Sequence, residues 1–180
     1  MTIRSILLAC VLALGTLPAS AQDRMERVLA NKVLRVGTTM DTPVFSMRNA
    51  ASGQLEGFDM DMLEHLSHAL GGVKIEYVKM TFGTMLPDLL ADKFDIAMSG
   101  MGRTLDRARV ATFSRPYMRY GKLMIIRAAD KDKYKTLEEL DKPGNRIGHN
   151  MGGLNERFAK VRFKQAQSAA MRAMLWRSRT

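Results

Sequence analysis

Between residues 33 and 98 the chain alternates short apolar runs with helix-period segments, and this alternation leaves few folds open to it. Val33–Thr38 reads V-L-R-V-G-T, a strand with alternating burial. Gly57 precedes residues 58–70, where Phe58, Met62, Leu63, Leu66 and Leu70 share one helical face. Asp59 and Asp61 fall in its first turn, where acids suit the helix dipole, and Gly71-Gly72 stops it. Residues 74–78 read as a second strand, and Met85–Leu90 as a helix that tolerates Pro87 only near its first turn. Residues 94–98 read as a third strand. This order predicts an α/β fold with a largely parallel sheet. Farther on, a strand is predicted over 118–127, a polar linker over 128–135 and a short helix over 136–140. A turn follows at Pro143-Gly144, then a strand over Arg146–Asn150 and a helix from Leu154 to about Val161.

Residues 1–21 carry a basic start (Arg4), an apolar run and Ala19-Ser20-Ala21, the pattern of a secretory signal peptide cleaved after Ala21. Cys10 is the only cysteine and lies in that leader, so the mature chain can form no disulfide and use no thiol. The formal net charge is +10, but it is uneven. Arg4 contributes one charge, and Arg157, Lys160, Arg162, Lys164, Arg172, Arg177 and Arg179 contribute seven, with no acid after Glu156. The body is therefore nearly neutral, which argues against nucleic acid as a partner.

The stretch over 94–117 reads F-D-I-A-M-S-G-M-G-R-T-L-D-R-A-R-V-A-T-F-S-R-P-Y. It predicts a strand opening onto the loop Ser99-Gly100-Met101-Gly102, then a short helix carrying Arg107 and Arg109, then another strand from about Val110. Gly100 and Gly102 bare the main chain to a ligand. Thr104 can cap the helix. Arg107 offers a fork that matches a carboxylate, with Arg103 as a substitute. In open α/β sheets ligands sit beyond the carboxyl ends of strands, so the stretch predicts a site for a small carboxylate.

With these residues, the chain resembles the periplasmic amino-acid-binding proteins of ABC transporters (solute-binding family 3), and within them the cyclohexadienyl dehydratase branch. The resemblance runs from about Asp23 to about Gln167. It implies a periplasmic-binding-protein-like clamshell, with lobe 1 nearly complete and lobe 2 partial. The implied domains are a leader at 1–21, lobe 1 at 22–127, the crossover with partial lobe 2 at 128–167 and a divergent basic tail at 168–180. No strand pattern is read in that tail; a frameshifted end or an amphipathic helix are the two readings of it.

The resemblance implies a ligand set. Arg107 resembles the family arginine that clamps an α-carboxylate, and Gly100 and Gly102 match loop positions that contact ligand. Gly102 stands where the family often has Ser or Thr. Phe45, in D-T-P-V-F, resembles an aromatic that packs on ligand, and Phe82 falls where the branch has Trp. Gly152, Gly153, Leu154, Asn155 and Glu156 resemble the branch's G-G-T-N-E, with Leu154 replacing Thr. There the Glu is implicated as a general acid, which needs a pKa raised by burial.

Three functions stay open: capture of an amino acid or related small carboxylate for an ABC importer, prephenate or arogenate dehydration, and a remnant without function. The implied partners are the small carboxylate and the importer's membrane component, in the periplasm. No cofactor is implied. Asp61, His65 and His68 read as a solvated helix face rather than a metal site. His149 lies beside the glycine pair as a further candidate contact.

Overall fold

The computed structural model describes residues 24–171. The predicted leader, the cleavage at Ala21 and the end of the tail lie outside these residues.

Helix α1 (Arg24–Asn31) leads into strand β1 (Val33–Thr38). A small antiparallel meander follows: β2 (Asp41–Thr42), β3 (Ser46–Arg48) and β4 (Leu55–Glu56). Helix α2 (Phe58–Ala69), strand β5 (Lys74–Lys79), helix α3 (Met85–Leu90) and strand β6 (Ile96–Ala97) complete a parallel sheet of order β5-β1-β6. The one-turn helix α4 (Leu105–Ala108) comes next, then a 3₁₀ turn (Ala128–Asp130) and helix α5 (Leu137–Leu140). Strand β7 (Arg146–Asn150), helix α6 (Leu154–Arg162) and strand β8 (Gln167–Met171) form a parallel pair with its crossover.

The α/β alternation is as predicted. Helix α2 ends in the hydrogen-bond pattern that a glycine pair permits: Gly71 N–H donates to the His68 carbonyl and Gly72 N–H to the Ser67 carbonyl. Val28, Met60 and Leu63 of the helices pack with Leu34, Val36 and Val73 into one core cluster. Each such fully buried side chain contributes roughly 1.5–3 kcal/mol. Met80, Met85 and Phe94 form a second cluster, and Leu140, Ile147, Ala159, Phe163 and Ala166 a third, which belongs to the β7–α6–β8 unit. A salt-bridge network closes the end of the sheet away from the glycine loop. The buried Asp95 accepts from Arg27 and Arg35, and Asp92 from the same two arginines.

Three predicted elements differ. The third strand shortens to two residues, although Asp95 N–H and Met98 N–H still bond to the Arg35 and Gly37 carbonyls of β1. The strands expected from Val110 and over 118–127 do not form. Their residues suit a strand, but a strand needs a ladder, and among the described residues, 112–126 make no main-chain to main-chain hydrogen bond. Conversely, Gln167–Met171 is a strand where none was expected. Gly148 of β7 carries no side chain, and Met171 occupies the space beside it.

Candidate functional site

The loop after β6 is built by an unusual distribution of polar groups. Ser99 was expected at the ligand; it lies fully buried, and its hydroxyl pairs with those of Thr39 and Ser46 at 2.8 Å each. It ties the loop to the turn between β1 and β3. Gly100, at φ +59, is pressed against the Phe45 ring, which would meet any Cβ there at 2.8 Å. Both of its peptide groups are engaged. Its N–H donates to Asp59 Oδ2 at 2.8 Å, and its carbonyl accepts from the Tyr120 hydroxyl at 2.6 Å. The expectation of a free Gly100 amide is therefore corrected: the carboxylate of Asp59 holds it.

Thr104 caps α4 as predicted, its hydroxyl accepting from Arg107 N–H at 3.3 Å. Arg107 is 8% exposed. Its guanidinium donates to the Gly102 carbonyl at 3.0 Å and forms no ion pair among the described residues. Burial lowers its proton affinity, but a guanidinium keeps its charge. Arg103 is exposed.

Helix α6 faces this loop with its N-terminal turn. Leu154 lies against Gly102, and Gly152 (φ +75) lies against Gly83, each where a Cβ on the glycine would collide. Phe82 is half-buried beside Gly153. Asn155 Oδ1 accepts from Lys122 Nζ at 2.6 Å, and Arg157 pairs with Asp106, the residue before Arg107, at 2.5 Å. A cleft of about 1890 Å³ is lined by Phe45, Phe82, Gly100, Gly102, Arg107 and Leu154, among others.

Glu156 does not meet the requirement set for a general acid. Its Oε2 accepts from Gly152 N–H at 2.7 Å and its Oε1 from Lys160 at 2.5 Å. These two donors hold its carboxyl below the usual range, the reverse of what a proton donor needs. His149 is buried and its ring nitrogen meets the Asn150 carbonyl. His65, His68 and Asp61 are exposed, and among the described residues no cluster of acids, histidines and cysteines is suited to a metal ion.

Sequence reasoning missed three contributors: Asp59, Tyr117 and Tyr120. Tyr117 donates to Asp59 Oδ1 at 3.0 Å, and burial pushes both groups' pKa up. Asp59 had a sufficient local explanation as a first-turn acid, so no sequence signal separated it from a dipole partner.

Comparisons with known proteins bear on the family and the fold. The family model of bacterial extracellular solute-binding proteins, family 3, matches residues 34–176, which extends beyond the predicted end of the resemblance. Cyclohexadienyl dehydratase of Pseudomonas aeruginosa is 41% identical over 161 residues, which cover 89% of this chain and 59% of that protein. ABC transporter arginine-binding protein 1 of Escherichia coli is 26% identical, with 93% of this chain and 62% of that protein covered. Among solved structures, an ancestral amino acid-binding protein described as a precursor of cyclohexadienyl dehydratase superposes with a TM-score of 0.79 at 35% identity. That match covers 83% of this chain and 65% of the other. A Streptococcus pneumoniae amino acid ABC transporter substrate-binding protein bound to L-arginine gives 0.77 at 30%, with 85% and 63% covered. The chain thus spans less than two thirds of each of these relatives. By the match of its family model and its fold, the chain belongs to the bacterial extracellular solute-binding proteins, family 3.

Proposed function

We propose that this chain captures an amino acid or a related small carboxylate for an ABC importer after export to the periplasm. The observation that carries the reading is Arg107, a buried cation on the cleft wall that forms no ion pair among the described residues. A buried charge without a counter-charge is costly, and a ligand carboxylate would remove that cost. Gly102, Phe45, Phe82, Gly153 and Asn155 complete the proposed wall, and Gly152 packs behind them on Gly83. In this reading residues 1–21 are the leader, 22–127 the first lobe, and the second lobe starts at 128 and runs on through β8.

Dehydration of prephenate or arogenate is the second reading, favoured by the 41% identical relative. It requires Glu156 to leave Lys160 and Gly152 N–H and reach the ligand as an acid. Titration calorimetry with the twenty L-amino acids and prephenate separates the two, together with phenylpyruvate absorbance after prephenate addition. Saturable heat that disappears in Arg107→Met, without phenylpyruvate, supports capture. Phenylpyruvate formation that disappears in Glu156→Gln supports the enzyme. Neither signal from the folded wild type overturns both.

A further inference from the structure

The carboxylate of Asp59 is fully buried, and its own helix does not use it. The N-terminus of α2 has no side-chain cap, since Gly57 stands at that position. Both oxygens instead reach other segments: Oδ2 to the Gly100 amide and Oδ1 to the Tyr117 hydroxyl. Asp59 N–H donates to the Phe45 carbonyl at 3.0 Å, and Tyr117 stacks on Phe58 with centroids 5.8 Å apart. Three stretches distant in sequence therefore meet at one carboxylate: the start of α2, the glycine loop and the strap over 112–126. A buried carboxylate is retained only where its bonds are satisfied, and here both bonds serve the loop and the strap.

We infer that Asp59 is a positioning residue of the ligand site. It holds Gly100 in its left-handed conformation, so that the amides beyond it and Arg107 line the cleft, and through Tyr117 it fastens the strap to the loop. The inference rests on the reading of this loop as a carboxylate site. The titratable groups that meet Asp59 are Tyr117 and Tyr120. Tyr120 lies between Asp59 and Arg107 electrostatically.

The test uses the full chain labelled with ¹⁵N and free of ligand. Asp59→Asn keeps the shape and removes the charge. Gly100 amide exchange is expected to rise about tenfold in that variant, the scale of exchanging a charge-assisted hydrogen bond for a neutral one. In the wild type the Gly100 amide proton shift should titrate with the carboxylate; in Asp59→Asn it should stay flat. Tyr117→Phe removes one bond only and should raise the exchange less, and it decides the matter should Asp59→Asn not fold. Affinity for whichever of the twenty L-amino acids the wild type binds should fall with the loop. Unchanged Gly100 exchange and a retained titration in Asp59→Asn, or unchanged exchange in Tyr117→Phe, would overturn the inference. A wild type that binds none of the amino acids would instead overturn the carboxylate reading, and the exchange data would still decide on Asp59.

Discussion

Leu154 packs on the bare backbone of Gly102 across the cleft: a Cβ at Gly102 would stand 2.3 Å from Leu154 Cδ1. The two residues thus form one apolar contact where the resemblance implies two hydroxyls. The Leu154 methyl is the mobile end of its side chain, so it can turn aside. Gly102→Ser should therefore fold, with stability changed by about 1 kcal/mol. The Gly102→Ser, Leu154→Thr double variant should bind a carboxylate ligand about tenfold more tightly than either single variant, because contacting pairs are not additive. Calorimetry on the four proteins measures the coupling; an additive pair would separate the two positions.

Arg107→Met should split binding from stability. Removing this buried guanidinium, which forms no ion pair among the described residues, is expected to leave the thermal midpoint unchanged or raised, as replacement of buried charge by an apolar side chain often does. Ligand binding should weaken by about a hundredfold, the scale of two charge-assisted bonds. A lowered midpoint with retained binding would place the arginine in the structure rather than the site.

Gly37→Ala should destabilise the parallel sheet β5-β1-β6. A Cβ there would lie 2.7 Å from the ring of Phe94, which is fully buried and cannot withdraw. Overpacking of this kind costs about 1–3 kcal/mol. Chemical denaturation measures it, and Phe94→Leu in the same chain should recover part of the loss.

Acid should unfold the protein through Asp92 and Asp95. The hydrogen bond from Arg27 first, and the Arg35 charge, lower Asp92 to about 2. The bonds from Arg35 and Arg27 lower Asp95 against the opposing pull of its burial. A depressed folded pKa means stability that is present above the unfolded value, about 3.9. That stability is lost as pH falls through the folded value. Denaturant midpoints should thus fall between about pH 4 and pH 2, with a shallower slope in Asp95→Asn. Asp59 has the opposite sign. Its raised folded pKa gives stability below the unfolded value that is lost as pH rises through the folded one, so Asp59→Asn should flatten that second slope.

The parallel sheet was legible because its strands and helices each carry their own apolar period. The meander was not, since β2 and β4 have two residues each and show no period. The strand expected over 118–127 failed for a reason that no propensity records: among the described residues, 118–126 have no main-chain hydrogen-bond partner. Gln167–Met171, with two alanines and no β-branched residue, gave no strand signal, yet Gly148 lets it pack. In the site, the glycine loop and the Thr104 cap were legible from local spacing, whereas the burial of Arg107 was not. The destination of Ser99 was not, because its hydroxyl partners lie 53 and 60 residues away. Lys160, four residues after Glu156, was a local signal that this carboxylate already had a partner.

The strap over 112–126 gives the chain a point of scission. Among the described residues its amides are bonded to no other main-chain group, and Arg119 and, just beyond it, Arg127 are exposed. Trypsin under native conditions should cut there first and leave two fragments of nearly constant size. Held together by the contacts of the α6 N-terminal turn with Gly102, Phe82 and Gly83 and by the Arg157–Asp106 ion pair, the fragments would behave as a complementing pair. The strength of their association would then report directly on how firmly the cleft stays shut.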